Sequence, residues 1–247
     1  MSHIRKTLFA VVAVALGTFS VPTAANAFNL VDRTGFTDTQ FNQMRTDGLF
    51  TELFVAESRI GNNSTSTAER ELGINTDTGA PVAIGDRTWG NGGLVDFVLE
   101  YTGSLVKYTV DGQLLSSSAF NGLATDIFLR TRAGGDTTKG INGSTMGLSD
   151  LVFNGVGISS LSSSVTGTGS DVDYVQLAGI SAPFTLTGKS MMSWTGNNPK
   201  NSQLAYQIKV GTTPQTQSVP EPGTVGAIAL TGLLALGSKK QQKAVKE

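Results

Sequence analysis

Alternation of apolar and polar residues constrains the fold of this chain more than any other feature. At residues 94–101, Val95, Phe97 and Leu99 point to one face, while Asp96 points to the other. A period of two indicates a β-strand with one buried face. Similar signals recur along the chain and predict about nine strands, at residues 51–57, 94–101, 104–110, 113–117, 125–132, 150–153, 174–177, 184–187 and 204–210.

The connections between these strands predict an antiparallel arrangement. Asp111-Gly112 separates two alternating runs, and both residues tolerate the positive φ of a tight hairpin turn. No long helical pattern separates the strands, which disfavours parallel βαβ folds, and no fixed-period repeat suggests a propeller or β-helix. We therefore expect an all-β domain at residues 28–210, folded as an antiparallel β-sandwich or jelly roll.

One short helix is expected before the first long strand. Thr37 and Gln40 have the spacing of a capping box, in which each side chain satisfies a free backbone amide of the other residue. Gly48 is placed to end the helix. Phe41 and Met44 share one helical face, so we expect this helix to cover the core as a lid.

The N-terminal 27 residues have the three parts of a secretory signal peptide. Arg5 and Lys6 precede an apolar run at residues 8–16, and Ala25 and Ala27 supply the small residues that a signal peptidase requires. Nine apolar residues are too few for a membrane span, which needs about 20. Cleavage is expected after residue 27.

The C-terminal residues follow a second ordered pattern. A polar linker at residues 211–219 leads into a motif, an apolar segment and two basic residues: Pro220-Glu221-Pro222, residues 223–237, and Lys239 with Lys240. As a helix, the 15 uncharged residues of that segment would be about 22 Å long. A hydrocarbon core is about 30 Å thick, so insertion requires tilting or local thinning, with the lysines on the cytoplasmic side. The alternative is a helix that belongs to the folded core.

Motif, apolar segment and basic stop together resemble the PEP-CTERM sorting signal, which a membrane-embedded exosortase is thought to recognise. The sequence of residues 219–226 is similar to that of PEP-CTERM signals from cyanobacteria. The resemblance implies export past a signal peptidase, sorting by an exosortase, and attachment to the membrane through a tail at residues 220–247. It places the protein at the cell surface, outer envelope or extracellular matrix of a Gram-negative-type bacterium, in association with exopolysaccharide.

The body carries a second resemblance. Residues 50–60, 71–73 and 126–132 look like bacterial choice-of-anchor extracellular domains, of the W subgroup. These modules occur with differing surface anchors and have no assigned activity. Residues 101–132 also resemble laminin-G or concanavalin-like sandwiches, which is an analogy of fold and implies no function.

The absence of two residue types limits the chemistry of the exported chain. The sequence has no Cys, and its single histidine, His3, lies in the signal peptide. A Ser-His-Asp triad, a Cys nucleophile and a His-ligated zinc site are therefore excluded after cleavage, and no cofactor is expected. Residues 28–218 contain 12 Lys and Arg against 17 Asp and Glu, a formal charge of −5, which disfavours nucleic acid as a partner.

Glycoside hydrolysis is not excluded as an activity, because that reaction needs only two acidic groups at a suitable separation. Asp96 and Glu100 share the polar face of one predicted strand. We expect them to form ion pairs with Arg130 or Arg132 on a neighbouring strand rather than to act in catalysis.

A second acidic pair and two glycine clusters each match only part of a known ligand-binding motif. Asp171 and Asp173 can supply oxygen ligands to calcium, but their surroundings do not match an EF-hand loop. The clusters at residues 134–136 and 188–190 lack the context of a phosphate-binding loop. We interpret both clusters as strand connections.

Two tryptophans lie in segments rich in Gly and Asn. Trp89 is close to Asn91, and Trp194 is close to Asn197. An aromatic face beside amide groups suits a sugar ring, although a tryptophan at a sandwich edge also serves as a core plug. The leading expectation is a non-enzymatic surface or matrix protein. Glycan binding at these tryptophans is the first alternative, and a carboxylate-dependent glycosidase is the second.

Overall fold

The chain folds into two antiparallel β-sheets packed around one hydrophobic core. A computed structural model describes residues 28–62 and 71–214. The expectation of a mainly β protein with one short α-helix is confirmed for these residues. The predicted cleavage site at Ala25 and Ala27, the sorting motif at 220–222 and the basic stop at 239–240 lie outside them.

Sheet A has seven strands, and every neighbouring pair is antiparallel. Across the sheet the order is β1 (Asn29–Asp32), β12 (Gly169–Ala178), β8 (Asp126–Gly135), β14 (Leu204–Thr212), β2 (Thr51–Arg59), β3 (Leu72–Asn75) and β4 (Pro81–Gly85). Strands that are distant in sequence thus become neighbours at the centre of the sheet.

Sheet B also has seven strands. Six of them lie side by side in the order β10 (Val156–Gly157), β9 (Ile141–Phe153), β13 (Phe184–Gly196), β5 (Leu94–Tyr101), β6 (Val106–Val110) and β7 (Gln113–Ser117). The seventh, β11 (Leu161–Thr166), pairs with β9. A short 3-10 helix, Thr137–Lys139, connects β8 to β9.

Residues with period-two spacing on both sheets fill the space between them. In β5, Phe97 and Leu99 face the core, and in β14, Tyr206 and Ile208 do the same. All four side chains are at most 1% exposed. The alternation in the sequence therefore corresponds to the inner and outer faces of the two sheets.

The predicted helix is present as α1 (Asp38–Thr46). Its capping box forms as expected: the Gln40 amide donates to Thr37 Oγ1 at 3.2 Å, and the Thr37 amide donates to Gln40 Oε1 at 2.8 Å. Gly48 follows the helix with a φ of 69°, a conformation that suits glycine at a helix C-terminus.

The expected position of α1 on the main core is wrong. The helix lies on the outer face of sheet A, where Phe41 packs with Phe50, Phe128 and Tyr174 in a separate cluster. Strand β8 contributes to both clusters, because adjacent residues of a strand point to opposite faces of the sheet. Phe128 is buried on the outer face, and its neighbour Ile127 is buried in the main core. Sheet A is thus covered on both sides.

The interpretation of residues 188–190 as a connection is also wrong. Gly188 lies within β13, directly opposite Phe97 of β5. A Cβ atom on Gly188 would lie 2.6 Å from Leu151 Cδ2 and 2.9 Å from Phe97 Cε1. Glycine is therefore required at this position by packing against an aromatic ring rather than by a turn. Gly134 and Gly135 similarly belong to the last residues of β8.

The first strand begins and the last strand ends at the same end of sheet A. Asn29 pairs with Ala178, Ala178 pairs with Asp126, and Asp126 pairs with Gly211. These four residues form one row across four adjacent strands. Strand β14 ends at Thr212, inside the segment expected to be the linker.

Within residues 28–62 and 71–214, no helix has the length and apolar character that a membrane crossing requires.

Candidate functional site

A polar cleft of about 290 Å³ opens between α1 and the outer face of sheet A. Two rows of paired residues form its floor. Arg132 of β8, Ala205 of β14 and Arg59 of β2 lie side by side in one row. In the next row Arg130 lies beside Gln207. The cleft is thus assembled from strands that the chain visits far apart in sequence.

Arg130 joins the sheet to the helix. Its Nε and Nη2 atoms donate to Asp38 Oδ1 and Oδ2 at 2.6 and 2.5 Å, and the Tyr174 hydroxyl donates to Asp38 Oδ1 at 2.6 Å. Burial opposes ionisation of Asp38, but the hydrogen bonds from Arg130 and Tyr174 outweigh it and lower the pKa of the carboxyl group. Burial and the neighbouring carboxylate raise the pKa of Tyr174. Asp38 is therefore held in its ionised form, and Arg130 is its counter-ion.

On the other side of the cleft, Glu57 is the second committed anion. Arg59 Nε lies 3.4 Å from Glu57 Oε1, and Gln207 Nε2 donates to Glu57 Oε2 at 2.9 Å. Arg59 also donates to Ser202 Oγ at 3.0 Å. These contacts fix the orientation of Arg59 along the wall of the cleft.

Lys209 lies beneath the helix with two partners. Its Nζ atom is 3.4 Å from Glu52 Oε2 and 4.8 Å from the centre of the Phe41 ring. Burial raises the pKa of Glu52, although Lys209 counteracts the shift. Burial likewise lowers the pKa of Lys209, although Glu52 counteracts it. The pair is thus held together in a site that disfavours both charges.

Arg132 differs from the other cations that line the cleft. It is half-buried, and within the described part of the chain its side chain forms no hydrogen bond or ion pair. Sequence reasoning identified Arg130 and Arg132 only as partners for acidic residues elsewhere. The available signal was their spacing of two residues, which puts both guanidinium groups on one face of β8.

The two tryptophan segments come together in the structure, but the two rings have different environments. Trp89 is 3% exposed, and its Nε1 donates to the Arg59 carbonyl at 2.9 Å. A buried ring has no open face for a sugar, which leaves Trp194 as the candidate platform. Asn91 Nδ2 donates to the Trp194 carbonyl, and the Trp194 amide donates to Asn91 Oδ1, both at 2.9 Å. The Asn91 side chain thus holds the Trp194 backbone.

Trp194 is half-buried and borders a groove of about 460 Å³. Hydroxyl groups of Thr145, Ser164 and Ser193 line the same groove. Asn197 does not line this groove, because its Nδ2 donates to the Lys139 carbonyl at 2.9 Å in a neighbouring loop. Of the four residues proposed for glycan contact, Trp194 is therefore the one that lines this groove.

The acidic pair considered for calcium lies on β12. Asp171 Oδ2 accepts a hydrogen bond from the Ser164 amide at 2.8 Å. Burial, together with the charges of Asp171 and Asp32, raises the pKa of Asp173. Among residues 28–62 and 71–214, no group of three or more His, Cys, Asp or Glu side chains is arranged to hold a metal ion.

The expected partners of Asp96 and Glu100 are wrong. Both residues lie on β5 in sheet B, whereas Arg130 and Arg132 lie on β8 in sheet A. Asp96 instead pairs with Lys189 of β13, with 2.9 Å between Nζ and Oδ1. Asp96 does form an ion pair with a basic residue of a neighbouring strand, as expected. The residue is a different one because local sequence does not specify the order of strands in a sheet.

The fold and its cleft define a β-sandwich protein with a charged recess on one outer face. No protein-family model matches the chain, and a search of curated proteins finds no match. Its function has to be inferred from its own residues.

Proposed function

We propose that this chain is an exported, non-enzymatic protein of the bacterial cell surface or extracellular matrix. A signal peptidase removes residues 1–27, and an exosortase-type system recognises the C-terminal Pro220-Glu221-Pro222 motif. The β-sandwich between these segments is the part that is displayed, and exopolysaccharide is its proposed neighbour.

The observation that carries this proposal is the match between the strands and the two end segments. Strand β1 begins at Asn29, two residues after Ala27, and β14 ends at Thr212, just inside the linker. Cleavage after Ala27 would leave Phe28, whose ring packs edge-on against Phe153 at a centroid distance of 5.0 Å. Both processing events would thus fall outside the sandwich.

The residues available for chemistry support a non-catalytic role. After residue 27 the sequence has neither His nor Cys. Asp96, the best-placed acid of the pair on β5, is exposed and bound to Lys189. Glycoside hydrolysis needs two carboxyl groups that face the substrate. Asp96 is instead bound to a lysine on the neighbouring strand, an arrangement typical of a surface ion pair.

Mass spectrometry of the native protein, extracted from the cell envelope, tests the proposal. We expect an N-terminus at Phe28 and a C-terminus near Pro220 if the tail is cut, or an envelope-bound chain ending at Glu247 if it is retained. A full-length chain starting at Met1 in the soluble cell fraction would contradict export.

Glycan binding at Trp194 is a second candidate, favoured by the groove that this ring borders. A glycan array with the wild-type chain and with Trp194→Ala tests it, and Trp89→Phe is the control because Trp89 is buried. Equal binding by wild type and Trp194→Ala would exclude this groove.

A further inference from the structure

Arg132 carries a charge that the cleft on sheet A does not balance. Arg130, Arg59 and Lys209 each lie within 3.4 Å of a carboxylate oxygen. Arg132 is half-buried and has no such partner among the residues that the structure describes. A guanidinium group that lines a cleft without a counter-ion has its N–H donors available to an incoming anion. We infer that the cleft binds a carboxylate-bearing sugar, a uronic acid residue, with Arg132 as its main contact.

The strand register provides a place for this anion. Arg132 and Arg59 pair with Ala205 from opposite sides, so one strand separates them. Neighbouring strands are about 4.8 Å apart, which puts the two Cα atoms roughly 10 Å apart. Ala205 places only a methyl group between the two arginines, and this residue lines the cleft while being 3% exposed. An anion above Ala205 would therefore have a guanidinium group on each side.

The charges favour a carboxylate over a phosphate. A guanidinium group presents parallel N–H donors that match a carboxylate or a phosphate, so the balance of charge has to discriminate between the two. Asp38 and Glu57 already occupy Arg130 and Arg59. One unbalanced positive charge suits a ligand with one negative charge, whereas a phosphate monoester carries close to two.

The size and lining of the cleft favour a sugar over a peptide. A volume of about 290 Å³ is near the lower limit of small-molecule sites, about 300–1,000 Å³. Asn42, Ser202 and Gln207 supply amide and hydroxyl groups for the hydroxyls of a sugar ring. Strands β8 and β14 are hydrogen-bonded on both sides. A peptide therefore cannot add to the floor as a further strand, which is the mode that uses main-chain hydrogen bonds.

Isothermal titration calorimetry of the purified full chain tests this inference, with sodium glucuronate and glucose titrated separately. We expect glucuronate to bind, glucose not to bind over the same concentration range, and binding to weaken as sodium chloride is raised. Arg132→Gln should raise the Kd for glucuronate about 10- to 100-fold, the usual effect of losing a charged hydrogen bond. Lys107→Gln removes the same charge from sheet B and should leave the Kd unchanged.

A second variant separates loss of binding from loss of folding. Ala205→Leu keeps every charge but adds bulk between Arg132 and Arg59, and it should also weaken binding. Near-ultraviolet circular dichroism establishes that each variant is folded. Absence of glucuronate binding to the wild type, or unchanged binding by folded Arg132→Gln, would overturn the inference.

Two competitors test the identity of the ligand. If inorganic phosphate binds more tightly than glucuronate, the assignment of a carboxylate as the bound anion is wrong. If an acidic tripeptide binds more tightly than glucuronate, the assignment of a sugar as the ligand is wrong. The inference does not depend on export, because the termini of the native chain and the affinity for glucuronate are measured independently. Either proposal can therefore fail alone.

Discussion

Tyr108 of sheet B donates a hydrogen bond to Tyr206 of sheet A across the hydrophobic core, with 2.7 Å between the two hydroxyl oxygens. Both residues are 0% exposed. The Tyr108 hydroxyl is also 2.6 Å from Ser58 Oγ on β2. Burial raises the pKa of both tyrosines, so both stay protonated over the ordinary pH range. A polar chain thus connects the two sheets inside an otherwise apolar space.

Tyr108→Phe should lower the free energy of unfolding by about 1–3 kcal/mol, because it leaves buried polar groups without a partner. Urea denaturation measures the change. Tyr206→Phe and the double variant complete a mutant cycle, in which the two single effects should fail to add by at least about 0.5 kcal/mol. Strictly additive effects would mean that the two hydroxyl groups are not energetically coupled.

Asp38→Asn should weaken the attachment of α1 to sheet A. Among the residues that the structure describes, Asp38 is the one carboxylate bound to Arg130, and its loss would leave Arg130 unpaired with only 8% of its side chain exposed. Because 45% of the Asp38 side chain is exposed, solvent screens the pair, and we expect a loss of about 1–2 kcal/mol. Urea denaturation measures it, with Asp47→Asn after the same helix as the control. Equal effects of the two substitutions would contradict a specific role for Asp38.

Gly188→Ala should destabilise the sandwich by about 1–3 kcal/mol, because the added methyl group would collide with Leu151 and Phe97. Gly157→Ala is the matched control on a strand of the same sheet, since its added Cβ meets nothing within 4 Å. Thermal denaturation of both variants is the measurement. A Gly188→Ala protein as stable as the control would show that the core relaxes freely there.

Asp136 should make a pH-dependent contribution to stability. Hydrogen bonds from Thr138, at 2.5 Å, and from Lys139, at 2.9 Å, lower its pKa from 3.8 to about 2. A lowered pKa in the folded state stabilises the protein above the unfolded value, and this contribution is lost as the pH falls toward 2. The stability difference between wild type and Asp136→Asn should therefore shrink over that interval. A carboxyl resonance that titrates near 3.8 by NMR would refute the shift.

The core strands were predictable because their alternation is local. The predicted ranges 94–101 and 113–117 coincide with β5 and β7. Strand β11 was missed because Leu161–Thr166 is dominated by Ser and Thr, with a single residue, Ser163, fully buried. Strand β4 was missed because it begins with Pro81 and lies at the edge of its sheet, where proline is tolerated.

The cleft could not be predicted from local patterns. Arg130 and its partner Asp38 are 92 residues apart in the chain. Arg132 and Arg59 become neighbours of Ala205 only through the order of strands in sheet A. Hydrophobic periodicity determines which face a residue occupies, but it contains no information on which strands become adjacent.

The row that joins Asn29 to Gly211 has a mechanical consequence for a tethered molecule. Arg132 lies six residues along β8 from Asp126 of that row, a rise of about 20 Å at 3.4 Å per residue. A linker that continues from Thr212 would leave the sandwich at the end of sheet A that is far from Arg132 and Arg59. In a chain held in this way, the cleft would extend along the side of the sandwich from Lys209, near the attached end, to Arg132 and Arg59, which lie farther from it.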